Sequence, residues 1–299
     1  MEPENQKPFG GHWSDEKLAA LKAYMQSYCT ALKKSRFELV YIDAFAGSGR
    51  AGVEPVGEAG SKDLFDDPAI LQEDESYRHG SPLLALECEP PFSRFVFIDR
   101  NEQSLNELER QVKGAGQLRG RPASFVLGDA NETLQQIAAK DWSNRRAVAF
   151  LDPFALHVTW ATIQAIARTQ AIDMWLLFPA MAVNRMLPRS GVVPETWADR
   201  LTETFGSNDW RDVFYRQEET DLFGETSLAK TPKIFSRLSE YVTKRLGSEF
   251  AGVHEQPLIL RNTSGAPIFL LCFACGNPAG APIATRIAQH IIKKQTYGR

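Results

Sequence analysis

Hydrophobic positions along the chain fall into two alternating rhythms. Leu18, Leu21, Tyr24, Met25, Tyr28 and Leu32 recur at helical spacing after Ser14, which predicts an amphipathic leading helix over 15–32 with a serine cap. Phe37 to Asp43 is a short apolar run ending in a carboxylate. It is followed at once by Ala-Phe-Ala-Gly-Ser-Gly, a pattern that predicts a strand turning into a glycine loop. Residues 50 to 79 hold no sustained period. Rich in glycine and acids and containing proline, they predict a surface insertion, a flap with at most a short helix.

The pattern resets at Gly80-Ser81-Pro82, where Ser81 suits a cap and Pro82 the first helical turn. From there, predicted strands at 94–99, 124–129, 146–152 and 172–178 alternate with predicted helices at 101–113, 132–139 and 159–169. Such alternation of apolar strands with helices predicts a mostly parallel sheet covered on both faces. Residues 180–249 show helical stretches broken at Gly206, Asn208 and Pro232, with no convincing buried strand, so a helical insertion is expected there. Strand-like runs at 253–260 and 267–274, joined by Arg261-Asn-Thr-Ser-Gly-Ala, predict a C-terminal β-hairpin, and 278–294 a closing helix. The expectation is a single α/β domain over 1–299: a doubly wound, Rossmann-like, seven-stranded sheet carrying the flap, the helical insertion and the hairpin.

Composition narrows the classes. With 299 residues, 43% hydrophobic and 24% charged, the chain can bury a proper core, which excludes disorder and a disulfide scaffold. A net charge of -3 excludes a strongly basic coat and leaves room for a local basic groove. No apolar run approaches the roughly 18 to 20 residues of a membrane helix, and Met1 to Trp13 is polar, so no membrane partner and a soluble, cytoplasmic protein are expected. Cys272 and Cys275 have the spacing of a metal or redox pair, but no second pair exists and they sit in an apolar strand, so buried thiols are expected. The five histidines lack ligand spacing, and no metal is expected.

In open parallel sheets ligands bind outside the carboxyl ends of the strands, and here the first four strands each end in aspartate: Asp43, Asp99, Asp129 and Asp152. Residues 47–52 match a dinucleotide fingerprint literally, yet the acidic residue expected about 20 positions on comes much later, at Asp99. Several carboxylates repel a pyrophosphate and attract a cation, which favours S-adenosylmethionine, with its ammonium and sulfonium, as cofactor and disfavours NAD. In that reading Asp43 faces the ammonium and Gly47 and Gly49, beside Phe45, let the backbone approach. Asp99 accepts from the ribose hydroxyls, and Asp129 with the Ala130 amide reads the adenine. Each aspartate can alternatively cap the helix that follows it.

Asp152-Pro153-Phe154 suits an amine acceptor. The Asp carboxylate and the Pro carbonyl can accept both N–H groups and return the lone pair to nitrogen, while Phe154 stacks on the ring; placement in line then supplies much of the rate. A rigid turn with a core Phe is the alternative. His157 and Trp160 are candidates for the acceptor pocket. Arg185 and Arg189, with Arg200, Arg211 and Arg216, can form a phosphate-binding face on which Trp197, Trp210 and Tyr215 stack bases, or simply the two sides of solvated helices.

The stretches Tyr41-Ile-Asp-Ala-Phe-Ala-Gly-Ser-Gly49, Gly80-Ser-Pro-Leu-Leu-Ala-Leu86, Phe97-Ile-Asp99, Gly128-Asp129, Phe150-Leu-Asp-Pro-Phe154 and Asn184-Arg185, with the leading helix from Lys17, resemble the three-Cys-motif partner family (TcmP) over nearly the whole chain. That family is similar to class I S-adenosylmethionine-dependent methyltransferases. The same order is similar, more distantly, to ribosomal RNA adenine-N6 methyltransferases that carry Asp-Pro-Pro-Tyr. The resemblance implies that Lys17 and Ser81 lie near the cofactor, and it implies a separate three-Cys-motif, radical S-adenosylmethionine-like protein as partner. Two departures stand out: the tetrad here is Asp-Pro-Phe-Ala, with Ala155 where many relatives have Gly, and Asp99 replaces Glu. Two functions follow as expectations: a methyltransferase acting on an amine of a nucleic-acid base, or a partner protein that transfers nothing.

Overall fold

The computed structural model describes residues 12–48, 80–114, 116, 118–153, 155–217 and 228–297. The predicted flap at 50–79, Gly49 and Phe154 lie outside them. The chain runs α1 (His12–Leu32), β1 (Glu38–Asp43), α2 (Ser81–Leu86), β2 (Arg94–Asp99), α3 (Glu102–Gly114), β3 (Ala123–Leu127), α4 (Ala130–Ala138), β4 (Arg145–Leu151), α5 (Trp160–Arg168) and β5 (Ile172–Phe178). It continues through α6 (Ala180–Arg185), α7 (Glu195–Phe205), α8 (Trp210–Phe214), β6 (Tyr215–Gln217), β7 (Leu228–Lys230), α9 (Ile234–Glu249), β8 (Gly252–Val253), β9 (Leu258–Arg261), β10 (Pro267–Cys275) and α10 (Ala281–Tyr297).

The central strands are apolar on both faces, so the sheet needs cover on both. Strand order is β3-β2-β1-β4-β5-β10-β8, with β9 also on β10. Strands β1 to β5 are parallel, and β10 runs antiparallel to β5, β8 and β9. This is the expected Rossmann-like α/β fold. One face buries Leu39, Tyr41, Phe97, Phe150 and Trp175 against α1, α2, α3 and α10. The other buries Val40, Ile42, Ala149 and Leu176 against α4, α5 and the inserted helices.

Four expectations change in detail. The outer strand predicted over 253–260 is broken into β8 and β9, giving an eight-stranded sheet, because Pro257 lacks the N–H that a ladder needs. The helical insertion also holds a short β6–β7 hairpin outside the main sheet. Helix α1 begins at His12, ahead of Ser14, which lies buried inside it. Gly80, at φ 111, is the N-cap of α2 with no side-chain cap bond, so Ser81 is free of the capping role.

Cys272 and Cys275 are free thiols buried on β10, as expected. Among the described residues no group of side chains is arranged to hold a metal, and no helix is long and apolar enough to cross a membrane.

Candidate active site

The strand order reverses between β1 and β4, the switch point outside whose carboxyl ends open α/β sheets place their ligands. Across that edge the four aspartates follow the sheet order as Asp129, Asp99, Asp43 and Asp152, on four adjacent strands. Asp43 and Asp99 are the last residues of β1 and β2, Asp152 comes just after β4, and Asp129 two residues after β3. Asp43, Asp99 and Asp152 are buried, at 0, 7 and 3% exposure, and Asp129 is exposed.

Asp43 is held from several sides. Tyr41 Oη donates to its Oδ2 at 3.0 Å and the Phe45 N–H to its Oδ1 at 3.4 Å. Ser81 adds a side-chain hydrogen bond. Burial nevertheless pushes its pKa up to about 7, and the nearby Asp152 carboxylate adds to the rise. A group poised there favours a cationic neighbour.

Asp99 ties two turns together: its Oδ2 accepts from the Gly47 N–H at 2.7 Å and its Oδ1 from the Asn101 N–H at 2.8 Å. Gly47 sits at φ 60, a left-handed conformation that turns its amide inward at little cost for glycine. Both Asp99 oxygens keep a lone pair for a hydroxyl donor. Asp129 caps α4, its Oδ1 accepting from the Asn131 and Glu132 amides at 2.8 and 3.2 Å. The capping alternative therefore describes Asp129 and the turn-forming oxygen of Asp99. It fails for Asp43 and Asp152: no helix is described directly after Asp43, and α5 starts only at Trp160.

Asp152 pairs with Lys17. The Nζ of this fully buried lysine lies 2.6 Å from Asp152 Oδ2, with the rings of Trp13 and Phe150 5.3 and 6.0 Å away. The other oxygen, Asp152 Oδ1, is buried with no hydrogen-bond partner among the described residues. An unfilled carboxylate lone pair in a dry site is costly, and it marks the position where a donor N–H belongs. Immediately downstream Ala155 adopts φ 52, a left-handed conformation strained for alanine and natural for glycine.

The structure thus brings Lys17, Asp43, Gly47, Ser81, Asp99, Asp152 and Pro153 to one end of the sheet. Phe45 lies half-buried in the glycine loop, and the buried Ala130 opens α4 beside Asp129. Trp160 lines a small cavity together with Pro153 and is packed tightly: it is 4% exposed, its Nε1 donates to Glu249 at 3.2 Å, and Arg245 stacks on it at 4.7 Å. It anchors the insertion to α5 so closely that a Cβ on Gly206 would lie 2.3 Å from its ring. Trp210 and Tyr215 are likewise core residues, which removes them as base-stacking platforms. Arg185, Arg189, Arg200, Arg211 and Arg216 are all exposed. His157 is half-buried and its backbone carbonyl accepts from Asn131 Nδ2. Sequence reading missed Tyr41 and Asn131. Tyr41 was within reach, since two-residue spacing on β1 puts it on the same side as Asp43. Asn131 had no local signal.

No family model matches the chain, and no curated protein matches it. Solved structures do resemble it. A protein of Legionella pneumophila, LPL1258, is 13% identical with a TM-score of 0.47, covering 95% of this chain and 93% of that one. Trm1 from Pyrococcus horikoshii, solved with S-adenosyl-L-methionine, is 10% identical with a TM-score of 0.35, covering 99% of this chain and 84% of that one. A putative methyltransferase of Escherichia coli, yhhF, is 13% identical with a TM-score of 0.28, covering 69% of this chain and 82% of that one. These are likenesses too slight to assign chemistry.

Proposed function

We propose that the chain is an S-adenosylmethionine-dependent methyltransferase that N-methylates an amine on a nucleic-acid base. The single observation that carries this reading is the buried, unpartnered Asp152 Oδ1 at the end of a row of carboxylates. The donor set fits the cofactor: Asp43 suits an ammonium, Asp99 a pair of hydroxyls, and the Asp129–Ala130 turn an aminopurine edge. Bound there, S-adenosylmethionine would supply an electrophilic methyl group on a sulfonium.

The chain's own residues hold and prepare the acceptor. Asp152 Oδ1 accepts one amine N–H and the Pro153 carbonyl the other, which draws the nitrogen lone pair out of ring conjugation. Lys17 fixes the carboxylate from its far side, so Oδ1 stays aimed at the acceptor. The amine sheds its proton after transfer, so no strong base is needed. The exposed arginines of the insertion suit a phosphate backbone, and a base within a duplex would be flipped from its stack to reach the site.

Incubation with labelled S-adenosylmethionine and total RNA or total DNA tests the reading. Label is expected in nucleic acid, with Asp152→Ala retaining S-adenosylhomocysteine binding and losing incorporation. Label confined to protein or small molecules would reject the nucleic-acid part. Cofactor binding with no transfer to any fraction would favour the alternative of a partner protein for a three-Cys-motif protein.

A further inference from the structure

Asn131 stands one residue past Ala130, at the predicted adenine end of the site, yet its side chain points to the acceptor loop. Its Nδ2 donates to the His157 carbonyl at 2.7 Å. Its Oδ1 accepts from the Thr159 N–H at 3.0 Å, the Thr159 hydroxyl at 3.3 Å and the Thr162 hydroxyl at 2.8 Å. Gln135 Nε2 adds a bond to Thr162 Oγ1 at 3.0 Å, and Thr159 caps α5. The loop that leaves Asp152 and Pro153 therefore hangs, over its second half, on one amide of α4. The backbone N–H of Asn131 is in turn bonded to Asp129 Oδ1 at 2.8 Å.

We infer that Asn131 is a positioning residue that couples cofactor occupancy at Asp129–Ala130 to the geometry of the His157–Thr159 segment, so that cofactor binding organises this side of the acceptor site. The inference rests on the cofactor reading above. Its physical basis is rigidity: α4 and the loop share one hydrogen-bonded hub whose amide both donates and accepts, so fixing the first turn of α4 reduces the freedom of the loop.

Hydrogen exchange of the 155–162 backbone with and without S-adenosylhomocysteine, in the unaltered protein, Asn131→Ala and Asn131→Asp, tests it. S-adenosylhomocysteine is expected to slow exchange of this segment several-fold in the unaltered protein. Asn131→Ala should lose that protection while its dissociation constant for S-adenosylhomocysteine stays within about threefold. Asn131→Asp keeps the acceptor and loses the donor to His157, so intermediate protection is expected; it also serves if the alanine variant fails to fold. Equal protection in all three proteins, or binding that leaves the segment unchanged in the unaltered protein, would overturn the coupling alone. Failure of the unaltered protein to bind S-adenosylhomocysteine would overturn the cofactor reading and the coupling with it.

Discussion

Strand β1 carries a carboxylate at each end, and the two are treated in opposite ways. At its start Glu38 receives Arg94 Nε and Arg145 Nε, each at 2.8 Å, one on each oxygen. Those guanidiniums hold its pKa below the usual carboxylate range. At its end Asp43 accepts from the Tyr41 and Ser81 hydroxyls and the Phe45 N–H, has the Asp152 carboxylate nearby, and burial raises its pKa. At one rim the carboxylate is closed off by two guanidiniums; at the other Lys17 pairs with Asp152, while Asp43 is held by hydroxyls and an amide. The lesson is that the two rims do different work, the first locking β1 between β2 and β4, the second holding charge at a cost in stability that a ligand can relieve.

The contrast sets the size of the expected effects. Asp152→Ala removes a buried carboxylate that lies 2.6 Å from the fully buried Lys17 Nζ, so a loss of about 3 kcal/mol is expected in denaturant unfolding, with methyl transfer down about 100-fold or more. Adding Lys17→Met to that variant should recover part of the stability and none of the transfer. An unfolding midpoint unchanged by Asp152→Ala would refute the buried pair.

Asp43→Asn comes next. A carboxyl whose folded pKa is raised contributes stability that is fully present below its unfolded value and lost as pH rises through about 7. The variant is therefore expected to melt above the parent at pH 8 and to match it near pH 4. Because the ionised form is the one that attracts an ammonium, S-adenosylhomocysteine affinity of the parent should rise up to tenfold per pH unit towards about 7 and level off above it. Calorimetry across that range should show a flat, weak profile for Asp43→Asn.

At the closed rim the effects shrink. The Glu38 side chain and its arginines are 29, 39 and 42% exposed, so Glu38→Gln should cost only about 1 kcal/mol and leave S-adenosylhomocysteine binding unchanged. Its lowered pKa means the contribution is present at neutral pH and lost on acidification, the reverse of Asp43. Smallest is Ala155→Gly. Relief of the φ 52 strain is offset by the greater freedom of glycine in the unfolded chain, and a net gain of at most about 1 kcal/mol in thermal unfolding is expected.

Much of this architecture was legible along the chain. The strand ends at Asp43 and Asp99 coincide with the predicted ones, because a parallel strand buried on both faces is a continuous apolar run with an abrupt polar end. The buried thiols of β10 followed from the same continuity. Ser81 illustrates a limit: its place after Gly80 suggested a cap, whereas its hydroxyl serves Asp43, a partner 38 positions earlier that local rules do not consider. Trp160 and Trp210 show another, since an aromatic at helical spacing reads alike whether it faces a ligand or a neighbouring helix.

By itself the sequence determined the order of strands and helices, the apolar faces and the identity of the acids at the strand ends, all of which are local properties of pattern and spacing. Tertiary structure alone decided that Lys17 meets Asp152, 135 residues away, that one oxygen of that carboxylate has no donor among the described residues, and that Asn131 carries the loop behind it. Burial and pairing depend on which segments close over a side chain, and that is settled only when the sheet and its two layers of helices are assembled.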